Sequence, residues 1–163
     1  MGLNSLSRET NYKDSLRKFF VENLSDEHDI PVTFDKLLNF PDIFQEGFRY
    51  HDDRVNKWVS IVSGGLIERS PMIIAYPAIY MCTRRDNEGY RLAQLRDKVR
   101  ELLNESMTIP LYRNFYVPFQ DQYMWEFITH MTIFHNGESD QLTTKEDTRF
   151  KRLSLRIQWA ATI

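Results

Sequence analysis

At 163 residues, with 27% charged and 42% apolar side chains, the chain suits one folded domain burying roughly 70% of its unfolded surface, and its composition excludes a disordered or membrane-embedded protein. A formal net charge of -2 excludes the basic excess that neutralises a nucleic-acid backbone, which leaves protein partners or small ligands. The one cysteine, Cys82, rules out an internal disulfide and a cysteine-rich metal site.

In chain order, a polar arm over residues 1–10 precedes a helix. Tyr12, Leu16, Phe19, Phe20 and Leu24 recur at helical spacing, predicting a core-facing helix that begins near Asn11, with Asn11 and Asp14 as a weakened capping box. Ile30, Val32 and Phe34 alternate with Pro31 and Thr33, which predicts a short strand at a sheet edge. Residues 36–57 are apolar in places but broken by Pro41 and Gly47, and read as an irregular or short-helical connection. Trp58 to Ile67 reads as a strand in which Ser63-Gly64-Gly65 admits a bulge or a turn.

Ile73 to Cys82 is a second apolar strand, at an edge or bulged around Pro77, which has no N–H to donate. Cys82 ends it and reads as an inert buried thiol. After the turn Thr83 to Gly89 comes the clearest helix, with Leu92, Leu95, Val99, Leu102 and Leu103 gathered into one apolar stripe. Asp86 or Asn87 is placed to cap it, and Glu88 adds negative charge to its first turn. Met107 to Phe119 reads as extended chain. Met124 to Phe134 reads as a strand that puts Trp125, Phe127, Met131 and Ile133 on one face. A polar loop over residues 135–149 follows, with Asn136-Gly137 as a tight turn. Leu153, Leu155, Ile157 and Trp159 then alternate with polar residues, predicting a half-buried C-terminal strand. The order predicts an α+β fold with two helices packed on one face of a mainly antiparallel sheet, as a single domain over 1–163.

No motif for a hydrolase elbow, dinucleotide cradle, P-loop or zinc protease occurs, so the expectation is no enzyme and no cofactor. His51-Asp52-Asp53 keeps open an alternative, a small metal- or ligand-binding enzyme domain, although adjacent residues point in different directions and need further ligands. No stretch nears the ~18 apolar residues of a membrane span, and no export signal is present; an intracellular, membrane-free protein is expected.

The run Trp58-Val59-Ser60-Ile61-Val62, followed by Ile79-Tyr80-Met81-Cys82-Thr83-Arg84-Arg85-Asp86-Asn87-Glu88-Gly89-Tyr90-Arg91-Leu92-Ala93-Gln94-Leu95-Arg96-Asp97, resembles the central block of tail terminator proteins from long-tailed, chiefly contractile-tailed, bacteriophages. The resemblance implies a structural virion protein, assembled in the host cytoplasm and located at the tail-neck junction. Such proteins form a homo-oligomeric ring, of six subunits, that caps the tail tube, ends tail polymerisation and offers the head-neck attachment surface. Implied partners are the tail tube protein, a neck, collar or connector protein, and a contractile sheath; DNA passes through without sequence-specific binding. A collar or head-completion ring is the alternative within the same class. Physically, a closed ring needs a rigid body with a heterologous interface. The candidate interface residues are Arg84, Arg85 and Asp86 in the charged turn, and Glu138, Asp140, Lys145, Glu146 and Asp147 in the polar loop. The aromatic segment from Tyr112 to Trp125 has no counterpart in the resemblance and is a candidate for a specialised contact with sheath or neck.

Overall fold

A computed structural model describes residues 8–35, 56–69, 71–143 and 148–160. Helix α1 (Arg8–Phe20) continues as a wider π-helical turn over Val21–Asp26. It starts earlier than expected, so the N-terminal arm reaches at most residue 7, and Asn11 is a buried residue within the helix rather than its cap. The expected stripe is intact: Tyr12, Leu16, Phe20 and Leu24 are all buried. Asp29, at φ 55°, turns the chain out of the helix so that Ile30 N–H can donate to Leu24 C=O at 3.0 Å.

The strands are β1 (Val32–Phe34), β2 (Lys57–Val62), β3 (Leu66–Arg69), β4 (Met72–Ala75), β5 (Ala78–Arg84), β6 (Thr108–Val117), β7 (Gln122–Glu138), β8 (Leu142–Thr143) and β9 (Thr148–Ala160), with helix α2 (Tyr90–Leu102) between β5 and β6. They form one mixed, mostly antiparallel sheet curled into a half-barrel, so the fold is α+β. Among the described residues the pair β1 with β2 is parallel and the other pairs are antiparallel.

Strand β9 is the backbone of the sheet. Along one edge it pairs β5 and then β4; along the other it pairs β8 and β7. Its inward residues Leu153, Leu155, Ile157 and Trp159 join Tyr12, Leu16 and Phe20 of α1 and Leu92, Leu95 and Val99 of α2 in one core, and Tyr12 stacks on Trp159 with ring centroids 5.7 Å apart. Among the described residues, no helix is long and apolar enough to cross a membrane.

Two irregularities shape the body. Pro77 does not produce a bulge: β4 and β5 keep a single register against β9, and Leu155 N–H donates to Pro77 C=O at 3.0 Å. Proline forfeits only the reciprocal bond. The extra residue sits instead on the facing strand, where Ser63-Gly64-Gly65 opposes Tyr76-Pro77 as a bulge between β2 and β3. Gly64 adopts φ 67°, and a Cβ there would lie 3.0 Å from the Tyr76 carbonyl oxygen, so the bend needs glycine. Around it, Tyr12 O–H donates to Ser63 C=O at 2.6 Å while Ser63 N–H donates to the Asp35 carboxylate at 2.8 Å, tying α1 and the end of β1 to the bend.

The C-terminal half departs further from expectation. Asn136-Gly137 is not a hairpin turn: β7 runs on to Glu138, and the two residues oppose Ser154 of β9 as a bulge, with Gly137 at φ 110°. Of the supposed loop over 135–149, the described residues are largely strand, comprising the end of β7, β8 and the start of β9. A second bulge falls in β7 at Ile128, between the pairs Leu111 with Thr129 and Tyr112 with Phe127. It flips the alternation, so Met131 and Ile133 enter the core whereas Trp125 and Phe127 are exposed; Ile128 packs on the core instead.

Candidate interaction surfaces

The charged turn is built by Asp86. Burial pushes its carboxyl pKa up, but N–H bonds from Arg91 (3.0 Å) and Leu92 (2.7 Å), the Thr83 hydroxyl (3.0 Å) and the Arg91 charge together hold it below the usual carboxylate range. Asp86 thus caps α2 across a short 3-10 turn, Asn87–Gly89, in which Glu88 and Gly89 both have positive φ. Arg91 returns the bond by donating to the Arg84 carbonyl at 2.9 Å. The result is a stiff corner from which Arg85, at φ 54° and exposed, projects; Arg84 is half-buried beside it. Of the three expected interface residues here, Asp86 is buried and committed to the helix, so it is not a rim charge.

Glu138 is likewise committed inside the chain. Its two carboxylate oxygens accept from Arg96 Nε at 2.8 Å and Nη2 at 3.0 Å, with Arg100 3.8 Å away, so a fork-shaped ion pair joins α2 to the end of β7. The Arg96 bonds outweigh burial and, with the Lys151 and Arg100 charges, hold the Glu138 carboxyl low. A carboxyl with a depressed folded pKa stabilises above its unfolded value of about 4.3 and loses that contribution as pH falls through the folded pKa. Glu138→Gln should therefore cost about 1 kcal/mol at neutral pH, an amount limited by the partial exposure of Arg96, and nothing at low pH. Thermal melts at pH 7 and in acid check this.

Asp140 is exposed, as expected of an interface charge, whereas Lys145, Glu146 and Asp147 lie outside the described residues. So does the His51-Asp52-Asp53 cluster; among the described residues no group of three His, Cys, Asp or Glu side chains could hold a metal ion. Cys82 is buried and burial pushes its thiol pKa up, in keeping with an inert role. His135 bonds Leu103 C=O through Nε2 at 2.6 Å and sits 3.4 Å from the Glu105 carboxylate, a bracket between the α2 exit and β7.

The aromatic segment Tyr112 to Trp125, a candidate for a specialised contact, lies in the hairpin of β6 and β7. Among the described residues β9 pairs β7 over Thr132–Glu138, while β6 pairs it over Gln122–Thr132, so there the distal part of the hairpin runs as a two-stranded ribbon. Its base is anchored by α1: Ser15 Oγ accepts from Tyr112 N–H at 2.8 Å, and the Lys18 ammonium lies over the Tyr112 and Trp125 rings. Along the ribbon Tyr123, Met124, Trp125 and Phe127 are 39–66% exposed, and Phe119 at the tip is fully so. A second surface lies at the other end of β7, on the outer face of the sheet. Here a cleft of about 410 Å³ is lined by Tyr80, Leu142, Phe150 and Arg152 beside the Asn136-Gly137 bulge.

No protein-family model matches the sequence, and no curated protein does either. A solved structure of a protein without a functional name superposes with a TM-score of 0.52 at 9% identity, covering 92% of this chain and 96% of that one. This likeness supports the α+β fold and extends to nearly the whole length of both chains.

Proposed function

We propose that this chain is a structural subunit that closes into a ring, of six copies, on the end of a phage tail tube, where it stops polymerisation and presents a seat for the neck. The observation that carries the reading is the β6–β7 ribbon, which holds a row of aromatic side chains away from the core that could have buried them. Contiguous exposed apolar surface of this kind marks a contact site in a soluble protein. The stiff Arg84-Arg85 corner, the charged-turn resemblance to tail terminators and the half-barrel body support the same reading. Its role is mechanical rather than catalytic, in the virion, with tube, neck or connector, and sheath proteins as partners.

Arg85→Glu tests it. The residue is exposed, so the variant keeps its melting temperature within the scatter of a surface change, about 0.5 kcal/mol, while capping of polymerising tail tubes weakens. Unaltered capping by a normally folded variant would contradict the role given to this corner. Binding of the unmodified protein to the head connector instead of tube ends would move the chain to a collar or head-completion ring.

A further inference from the structure

The two unpartnered surfaces match each other. The tip of the hairpin, Pro118 to Asp121, is closed by consecutive turns in which Gln120 N–H donates to Val117 C=O at 3.2 Å and Asp121 N–H donates to Pro118 C=O at 3.3 Å, so it is a fixed knob. Phe119 stands fully exposed on it. Asp121 is held beside it by the neutral Tyr116 hydroxyl, which leaves the carboxylate charge uncompensated. The outer-face cleft has the opposite character. Its volume of about 410 Å³ lies in the range of pockets that take up a small ligand, ample for a phenyl ring together with its neighbours, and Tyr80, Phe150 and Leu142 provide apolar walls beside the polar Asn136, Ser139 and Ser154. The cleft carboxylate, Glu138, is already neutralised by Arg96, so Arg152 supplies the charge on offer.

Knob and cleft cannot meet within one molecule. They lie at opposite ends of β7, roughly 45 Å apart at a strand rise of ~3.3 Å per residue. Complementary surfaces at opposite ends of a rigid strand generate head-to-tail contacts, which close into a ring when the rotation permits.

We infer that the hairpin tip of one copy docks in the outer-face cleft of the next, with Phe119 inserted into the cleft and Asp121 facing Arg152. This rests on the ring reading above and supplies its subunit contact. The phenylalanine provides the buried anchor expected at the centre of an interface, and the single charge pair fixes which way round the tip enters.

The test uses two full-length proteins distinguished by mass, one carrying Gln120→Cys, which leaves Phe119 in place beside it on the exposed tip, and the other Leu142→Cys; the native Cys82 is buried and stays silent. Mixed under mild oxidation, they should form the mixed disulfide about tenfold faster than Gln120→Cys with Ile67→Cys, an exposed position on the far edge strand β3. Adding Asp121→Arg to the first protein should abolish that advantage, and adding Arg152→Asp to the second should restore it. Reaction no faster than the Ile67→Cys control, or charge reversal without rescue, overturns the contact. So does protection of Gln120→Cys by sheath or neck protein with none by a second copy. Capped tail tubes without the disulfide would discard this contact and leave the ring reading standing. Rapid cross-linking with bare tube ends would keep the contact and discard the terminator role.

Discussion

Leu95→Asp should abolish cooperative folding. Leu95 is 3% exposed on the inner face of α2, within the core that also contains Leu153 and Leu155 of β9. Losing a buried leucine costs about 2–5 kcal/mol, and an unpaired carboxylate there adds several more or must protonate at comparable cost. The whole domain is stable by only roughly 5–15 kcal/mol, so the sum consumes most or all of it. Gln94→Asp, one residue away on the exposed side, should change stability by no more than about 0.5 kcal/mol. Circular dichroism melts of the two proteins decide the matter: a soluble Leu95→Asp protein with a normal transition would mean that the inner face of α2 has been misassigned.

The second large effect is at Asp86. Removing its carboxylate with Asp86→Ala deprives Arg91 N–H, Leu92 N–H and the Thr83 hydroxyl of their acceptor, and the Leu92 donor is buried. Bonds to a charged acceptor are worth more than neutral ones, and an orphaned buried donor adds its desolvation penalty; the expected loss is about 2–4 kcal/mol. At this chain length that lowers Tm by roughly 5–15 °C. Because the folded pKa of Asp86 is depressed, its contribution is present above the unfolded value of about 3.9 and fades as pH falls through the folded value. The Asp86→Ala deficit should accordingly shrink in acid. A deficit that stays constant with pH would assign the effect to packing rather than to the cap.

Local pattern carried much of the architecture. The stripes of α1 and α2, the alternation in β9, the buried Cys82 and the capping role of Asp86 are all visible in a few neighbouring residues, because each depends on one element's own period or turn chemistry. What escaped depends on a partner. Asn136-Gly137 is chemically a turn signal, yet whether it turns or bulges is settled by β9 pairing on both sides of it. The Ile128 bulge exists only relative to β6, and one inserted residue was enough to turn Trp125 and Phe127 to the face opposite Met131 and Ile133. Glu138 looked like a loop charge because its partner Arg96 is 42 residues away in the chain. The hairpin was legible only as a concentration of aromatics. That these would stand outside the core depends on which part of β7 pairs with β9, and no single element's own pattern shows that.

The ring proposed above joins identical copies of this body at the end of a tube, and electron micrographs of tail tubes polymerised with and without the protein test it. A sixfold annulus of this chain is expected on the ends of tubes whose growth has stopped, with tubes of uncontrolled length in its absence. Bare ends and an unchanged length distribution, with the protein remaining solitary in the same preparation, would contradict it.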